Sequence, residues 1–152
     1  MALPDIFNPI EAKVIIERIH KLRPDSKALW GRMSTAQMLA HCSETFEEAY
    51  KDNVEKPSKF KAWLLHTFVK PNVVSEKPYK KNSRTFSKFE VTEDRDFTTE
   101  KNRLIKYISI IVEDGRTSFE GRYSNNFGKL RSEQWNNMFY KHIDHHLKQF
   151  GC

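Results

Sequence analysis

This sequence predicts an all-α fold: a four-helix bundle with one long crossover between its second and third helices. Three observations point there. Four separate segments carry apolar residues at helical spacing. Each is bracketed by residues that start or stop a helix. The 45 residues from Asn53 to Phe97 lack a sustained period, and a connection that long inside a small domain is uncommon and is often functional or else poorly ordered. Sites in such bundles are built from inward-facing side chains on different helices. The 152 residues fit a single domain, 1–152, with a real core.

The first helix is predicted from Pro9 to Leu22. Asn8 is its N-cap, Pro9 suits the first helical position and Pro24 ends it. Ile10, Val14, Ile15, Ile19 and Leu22 form its apolar stripe. The second runs from Thr35 to Asp52 behind the N-cap Ser34, with Met38, Leu39, Cys42, Phe46, Ala49 and Tyr50 on its apolar side. Within the crossover, Lys59 to Val69 reads as a shorter helix, and Pro71 to Phe97 shows no period. The third long helix spans Thr98 to Asp114 and stops at Gly115, with Leu104, Ile105, Ile108, Ile111 and Val112 facing inward. The fourth follows Ser132, runs to Phe150 and is stopped by Gly151.

Bulk properties narrow the function. No apolar run approaches the roughly 18–20 residues that span a bilayer, so no membrane partner is expected. The start, Met-Ala-Leu-Pro-Asp-Ile-Phe, has no basic n-region followed by an apolar stretch, so no secretory signal is expected. Two cysteines, Cys42 and Cys152, make no disulfide framework, and a reduced, cytoplasmic location is the expectation. The net charge of +6 is uneven. Residues 54–90 carry nine Lys or Arg against three Asp or Glu, whereas the rest of the chain has 17 of each sign. A solvated loop is the simpler reading of this run, and recruitment of an anionic molecule the sharper one.

Chemistry concentrates in His142-Ile-Asp-His145-His146, which holds half of the six histidines. With His142 as angular zero and 100° per residue, Trp135 falls at about +20°, Met138 at about −40°, Phe139 at about +60°, His146 at about +40° and Phe150 at about +80°. His142 and His146 therefore lie together inside the apolar arc. His145, at about −60°, lies on its border, and Asp144 points away, toward solvent. Two neutral imidazoles in one core are costly unless satisfied, by roughly 1–3 kcal/mol each. A shared metal ion satisfies one nitrogen of each ring, given a third ligand from another helix. On spacing alone His20, His41 and His66 all remain candidates. Glu17-x-x-His20 matches half of a di-iron motif that has no second copy.

Other chemistries are weaker. The chain has no Gly-rich phosphate loop, no Gly-x-Ser-x-Gly elbow and no Cys-x-x-Cys. His41 and Cys42 are adjacent, but neighbours on a helix diverge by about 100°, so Cys42 reads as a buried structural thiol rather than half of a Cys–His pair.

His142-Ile-Asp-His145-His146-Leu-Lys-Gln149 resembles the His-x-x-His-His-Arg-Gly-Gln signature of the DinB/YfiT-like superfamily of metal-binding bundles. Leu29-Trp-Gly-Arg-Met-Ser34-Thr-Ala-Gln37-Met-Leu-Ala-His41-Cys-Ser-Glu44 resembles the lead-in to that superfamily's second-helix ligand. Phe127-Gly-Lys-Leu, with Trp135 through Gly151, is similar to one uncharacterised bacterial branch of it. The resemblance implies an up-down-down-up order of helices, frequent dimers and a metal triad of His41, His142 and His146. Two departures stand out. Leu147-Lys148 replaces Arg-Gly, and Ser124-Asn125-Asn126 stands before Phe127-Gly128 where relatives of that branch carry His-Pro-Phe.

The resulting expectation is one divalent ion, Zn²⁺ or Ni²⁺, held by His41, His142 and His146. The activity expected is transfer of a low-molecular-weight thiol to an electrophilic small molecule, as some members of that superfamily do, with hydrolases among its other members. His145 or Glu44 would handle protons or orient a ligand imidazole. The rival is a non-catalytic stress-response or nucleic-acid-binding protein. It would use the basic 54–90 run and the aromatics Phe60, Trp63, Phe68, Tyr79, Phe86 and Phe89 interleaved with it.

Overall fold

A computed structural model describes residues 2–51, 57–83 and 91–152. The expected second-helix end at Asp52, the ends of the basic run, and Phe86 and Phe89 lie outside them. The described chain is mostly helical. In order it forms α1 (Pro9–His20), α2 (Thr35–Glu47) with a 3-10 turn Glu48–Tyr50, and α3 (Lys59–Leu64). A π-helical turn Leu65–Val69 leads from α3 into α4 (Lys70–Val74), followed by α5 (Phe97–Asp114) and α6 (Ser132–Gln149). No helix among the described residues is long and apolar enough to cross a membrane.

The caps explain where the long helices begin. Asn8 accepts from the Ile10 N–H, and Ser34 with Gln37 forms a reciprocal capping box on α2. Asp96, not anticipated as a cap, accepts from the Thr99 N–H and starts α5 one residue earlier than expected. Gly115 (φ 72°) ends α5 in a conformation that favours glycine.

Three expectations about elements are corrected. Ile10 and Val14 are 74% and 49% exposed; α1 instead buries Ala12, Ile15 and Ile19. The apolar set of α1 spans more than one face, and the face holding Ala12, Ile15 and Ile19 is the one covered. The crossover helix does not stop at Val69 but continues to Val74. Pro71 falls in the first turn of α4, where its missing N–H is not needed. Finally, Tyr123–Ser124 and Gly128–Lys129 form a two-residue antiparallel pair ahead of α6.

The core lies among α1, α2, α5 and α6. Phe46 of α2 stacks on Phe139 of α6, ring centroids 4.7 Å apart. Phe119 stands edge-on to Phe139 and Trp135, both at 5.7 Å. Asp144 is not solvated as expected. Its carboxylate accepts from Arg18 of α1 at 2.9 Å and from Lys148 at 2.7 Å, and so ties α1 to α6.

Candidate metal centre

Helices α2 and α6 pass each other in opposite directions, with Phe46 against Phe139. Moving back along α2 and onward along α6 brings His41 against His142 and His146. The three ring centroids are 4.7, 4.8 and 4.8 Å apart. His41 Nε2 and His142 Nε2 are 2.9 Å apart. One potential ligand atom from each ring lies within 4.8 Å of the other two. No other group of three His, Cys, Asp or Glu among the described residues is gathered this way.

His146 shows how one ring is aimed. Its Nδ1 lies 2.8 Å from the amide oxygen of Gln149, one turn further along α6. That oxygen only accepts, so Nδ1 carries the proton and Nε2 keeps its lone pair. Gln149 is itself fixed: its amide nitrogen donates to the Trp30 carbonyl at 2.7 Å, and its backbone carbonyl accepts from the Leu29 N–H at 2.7 Å. Gly31 makes this close approach feasible. It sits at φ +81°, and a Cβ there would lie 2.6 Å from the Gln149 amide nitrogen.

Burial sets the charge state. It drives His142 well below the ordinary histidine value, and neighbouring His41 and His146 add to the effect. Burial, then His41, push His146 down to about 3, against the opposing hydrogen bond to Gln149. Both rings are neutral at pH 7, the form that binds metal.

A second layer of residues surrounds the three rings. Tyr79 stands perpendicular to His142 and His145, with centroids 6.5 and 5.8 Å away. Trp30 meets His145 edge-on at 5.7 Å. The Lys81 ammonium lies 4.5 Å from the Trp30 ring centre. Lys141 is buried, donates to the Asn72 and Ser75 carbonyls and lies 4.5 Å from the Tyr79 ring centre. Burial lowers its pKa to about 8. Its two hydrogen bonds tie α4 and Ser75 just after it to α6, with Tyr79 packed between Lys141 and the histidines.

A family model described as a protein of unknown function, DUF1569, matches residues 9–151. The chain belongs to the DUF1569 family. No curated protein and no solved structure matches it.

In this DUF1569 chain the expected site residues separate. His41, His142 and His146 come together. His145 stays outside the ligand group, edge-on to His146 at 5.1 Å, with burial lowering its pKa. Glu44 is not gathered with them: its carboxylate lies 4.0 Å from Arg95, which also pairs with Glu100 at the start of α5. His20 and His66 are exposed. Cys42 is fully buried, burial raises its thiol pKa, and its contact is Met38 Sδ at 3.8 Å.

The sequence names Gln149, Gly31 and Trp30 only as members of the two motifs and Tyr79 only among the aromatics of the nucleic-acid reading, none of them as a support of the histidines. The three-residue spacing of His146 and Gln149 on one helix was a usable signal. The partners of Gln149 in the loop before α2 were not.

The residues present fit a divalent ion. Two nitrogens on a tetrahedral zinc, each at about 2.0–2.1 Å, lie about 3.3 Å apart, so His41 and His142 need only a slight separation. Three imidazoles without a carboxylate match a catalytic zinc set that leaves a position open, and nickel is equally compatible with the donors.

Proposed function

We propose that this protein binds one divalent metal ion through His41, His142 and His146 and acts as a metal-dependent transferase using a low-molecular-weight thiol. The observation that carries the metal reading is the convergence of three imidazoles, His142 and His146 kept neutral by burial and His146 held in its ligand tautomer by Gln149. The thiol reading rests on the resemblance to the DinB/YfiT-like superfamily, with the four long helices forming an up-down-down-up bundle. When bound, the ion would supply an open position at which a thiol is held as its thiolate.

The chain's own residues then have distinct tasks. Gln149 keeps Nε2 of His146 directed toward its partners. His145, at the border and neutral, is placed to take a proton from an incoming thiol. Tyr79 and Trp30 flank His145 with aromatic surface that suits the apolar part of a small electrophile. Lys81, beside Trp30, places positive charge for an anionic thiol or substrate. Glu44 faces Arg95 and is assigned no chemical task.

The test is a conjugation screen of untagged protein loaded with Zn²⁺ or Ni²⁺, pairing several low-molecular-weight thiols with small electrophiles. Thiol consumption by the parent, abolished in His142→Ala and reduced in His145→Ala, is the expected result. A loaded, folded parent that is inert toward every pair would remove the transferase assignment and leave the metal centre standing.

A further inference from the structure

The helical crossover carries a surface that the metal centre does not use. Phe60, Trp63 and Phe68 are 70%, 56% and 67% exposed. They form one cluster: Phe60 stacks on Trp63 at 6.1 Å, and Trp63 meets Phe68 at right angles at 6.0 Å. In a regular α-helix, residues five apart diverge by about 140°. Here the π turn intervenes, with the Lys70 N–H donating to the Leu65 carbonyl five residues back, and it brings Phe68 round to the side of Trp63. The same turn keeps Leu65 buried and Val69 packed on the core. The other side of the segment is anchored, since Asn137 donates to the Val74 carbonyl and Lys70 to the Phe127 carbonyl. The aromatic cluster is thus presented outward on a fixed support.

The described part of the crossover carries charge mostly of one sign. Residues 57–83 contain six Lys, no Arg and a single acid, Glu76. Lys59 and Lys61, which flank Phe60 on α3, are exposed. We propose that this face adsorbs to an anionic lipid surface, Phe60, Trp63 and Phe68 entering the interfacial layer while the lysines meet the headgroups. Adsorption of this kind needs no spanning helix.

Two alternatives fit less well. A second copy would oppose two faces of the same positive charge. Single-stranded nucleic acid stacks its bases on ring faces, and here Trp63 is already engaged by both Phe60 and Phe68.

Flotation of the full chain with vesicles tests the proposal. Binding is expected to phosphatidylcholine vesicles containing phosphatidylglycerol and not to phosphatidylcholine alone. Phe60→Ser with Trp63→Ser should lower the partition coefficient about tenfold or more, and Lys59→Gln with Lys61→Gln about tenfold. All four side chains are exposed, so thermal unfolding should be unchanged. Absence of binding to anionic vesicles, or binding indifferent to the aromatic pair, would overturn the proposal. So would an oligonucleotide, or a second copy of the chain, that requires Phe60 and Trp63 while vesicles do not.

Discussion

At the scale of single residues, Gln149 is the side chain on which the proposed metal site most depends. It gives His146 a fixed tautomer and joins α6 to the loop that precedes α2. Gln149→Leu should weaken divalent-metal binding about 10–100-fold in a calorimetric titration. Gly31→Ala should act in the same direction, because its methyl group would occupy the place of the Gln149 amide. If both variants bind like the parent, Gln149 does not aim the ring. The buried rings also predict a pH dependence. His146 falls from an ordinary 6.5 to about 3 on folding, so between those values the unfolded chain binds more protons than the folded one. Stability of the metal-free protein should therefore hold above pH about 6.5 and decline as pH falls toward about 3. Urea unfolding at neutral pH and near pH 4 measures this, and a flat profile would mean that the rings are solvated. The sequence showed His142 and His146 on one face through their four-residue spacing. It left His41 level with His20 and His66, because the meeting of α2 and α6 is a tertiary fact. Only the resemblance singled out His41.

At the scale of elements, starts and stops were legible because capping is local chemistry. Asn8, Ser34 and Gly115 act where their types predicted. Ser34→Ala removes half of the capping box on α2 and should cost about 1 kcal/mol in denaturant unfolding. Phe139→Ala, which empties the centre of the aromatic core, should cost about 3–5 kcal/mol. A loss well below that would mean that the α2–α6 packing is looser than the Phe46 stack implies. What periodicity missed has physical causes. The α1 stripe was drawn from hydrophobicity, but Ile10 and Val14 lie on the side of the helix roughly opposite Ala12, Ile15 and Ile19, which its neighbours cover. The crossover helix passes Pro71 because a π turn and a fresh first turn absorb the missing N–H. Asp144 looked solvent-facing on its own helix and meets Arg18 only once α1 has docked.

At the scale of the molecule, the proposed ion would join α2 to α6 near the end fastened by the Trp30 loop, while the aromatic core holds the other end. Binding that occurs only in the folded state stabilises it, by about 2.7 kcal/mol at a free metal concentration one hundred times Kd. Thermal unfolding should accordingly move upward with Zn²⁺ or Ni²⁺ in the parent and not in His142→Ala. Lys59 and Lys61 stand on α3 with the exposed aromatics and outside the histidine group, so metal uptake and surface adsorption should respond to different substitutions. The central claim is the ion itself, and elemental analysis of protein purified without a histidine tag tests it most directly. One equivalent of divalent metal in the parent and none in His142→Ala is the predicted result. A parent that is metal-free, stays so after incubation with Zn²⁺ or Ni²⁺, and unfolds like His142→Ala would contradict it.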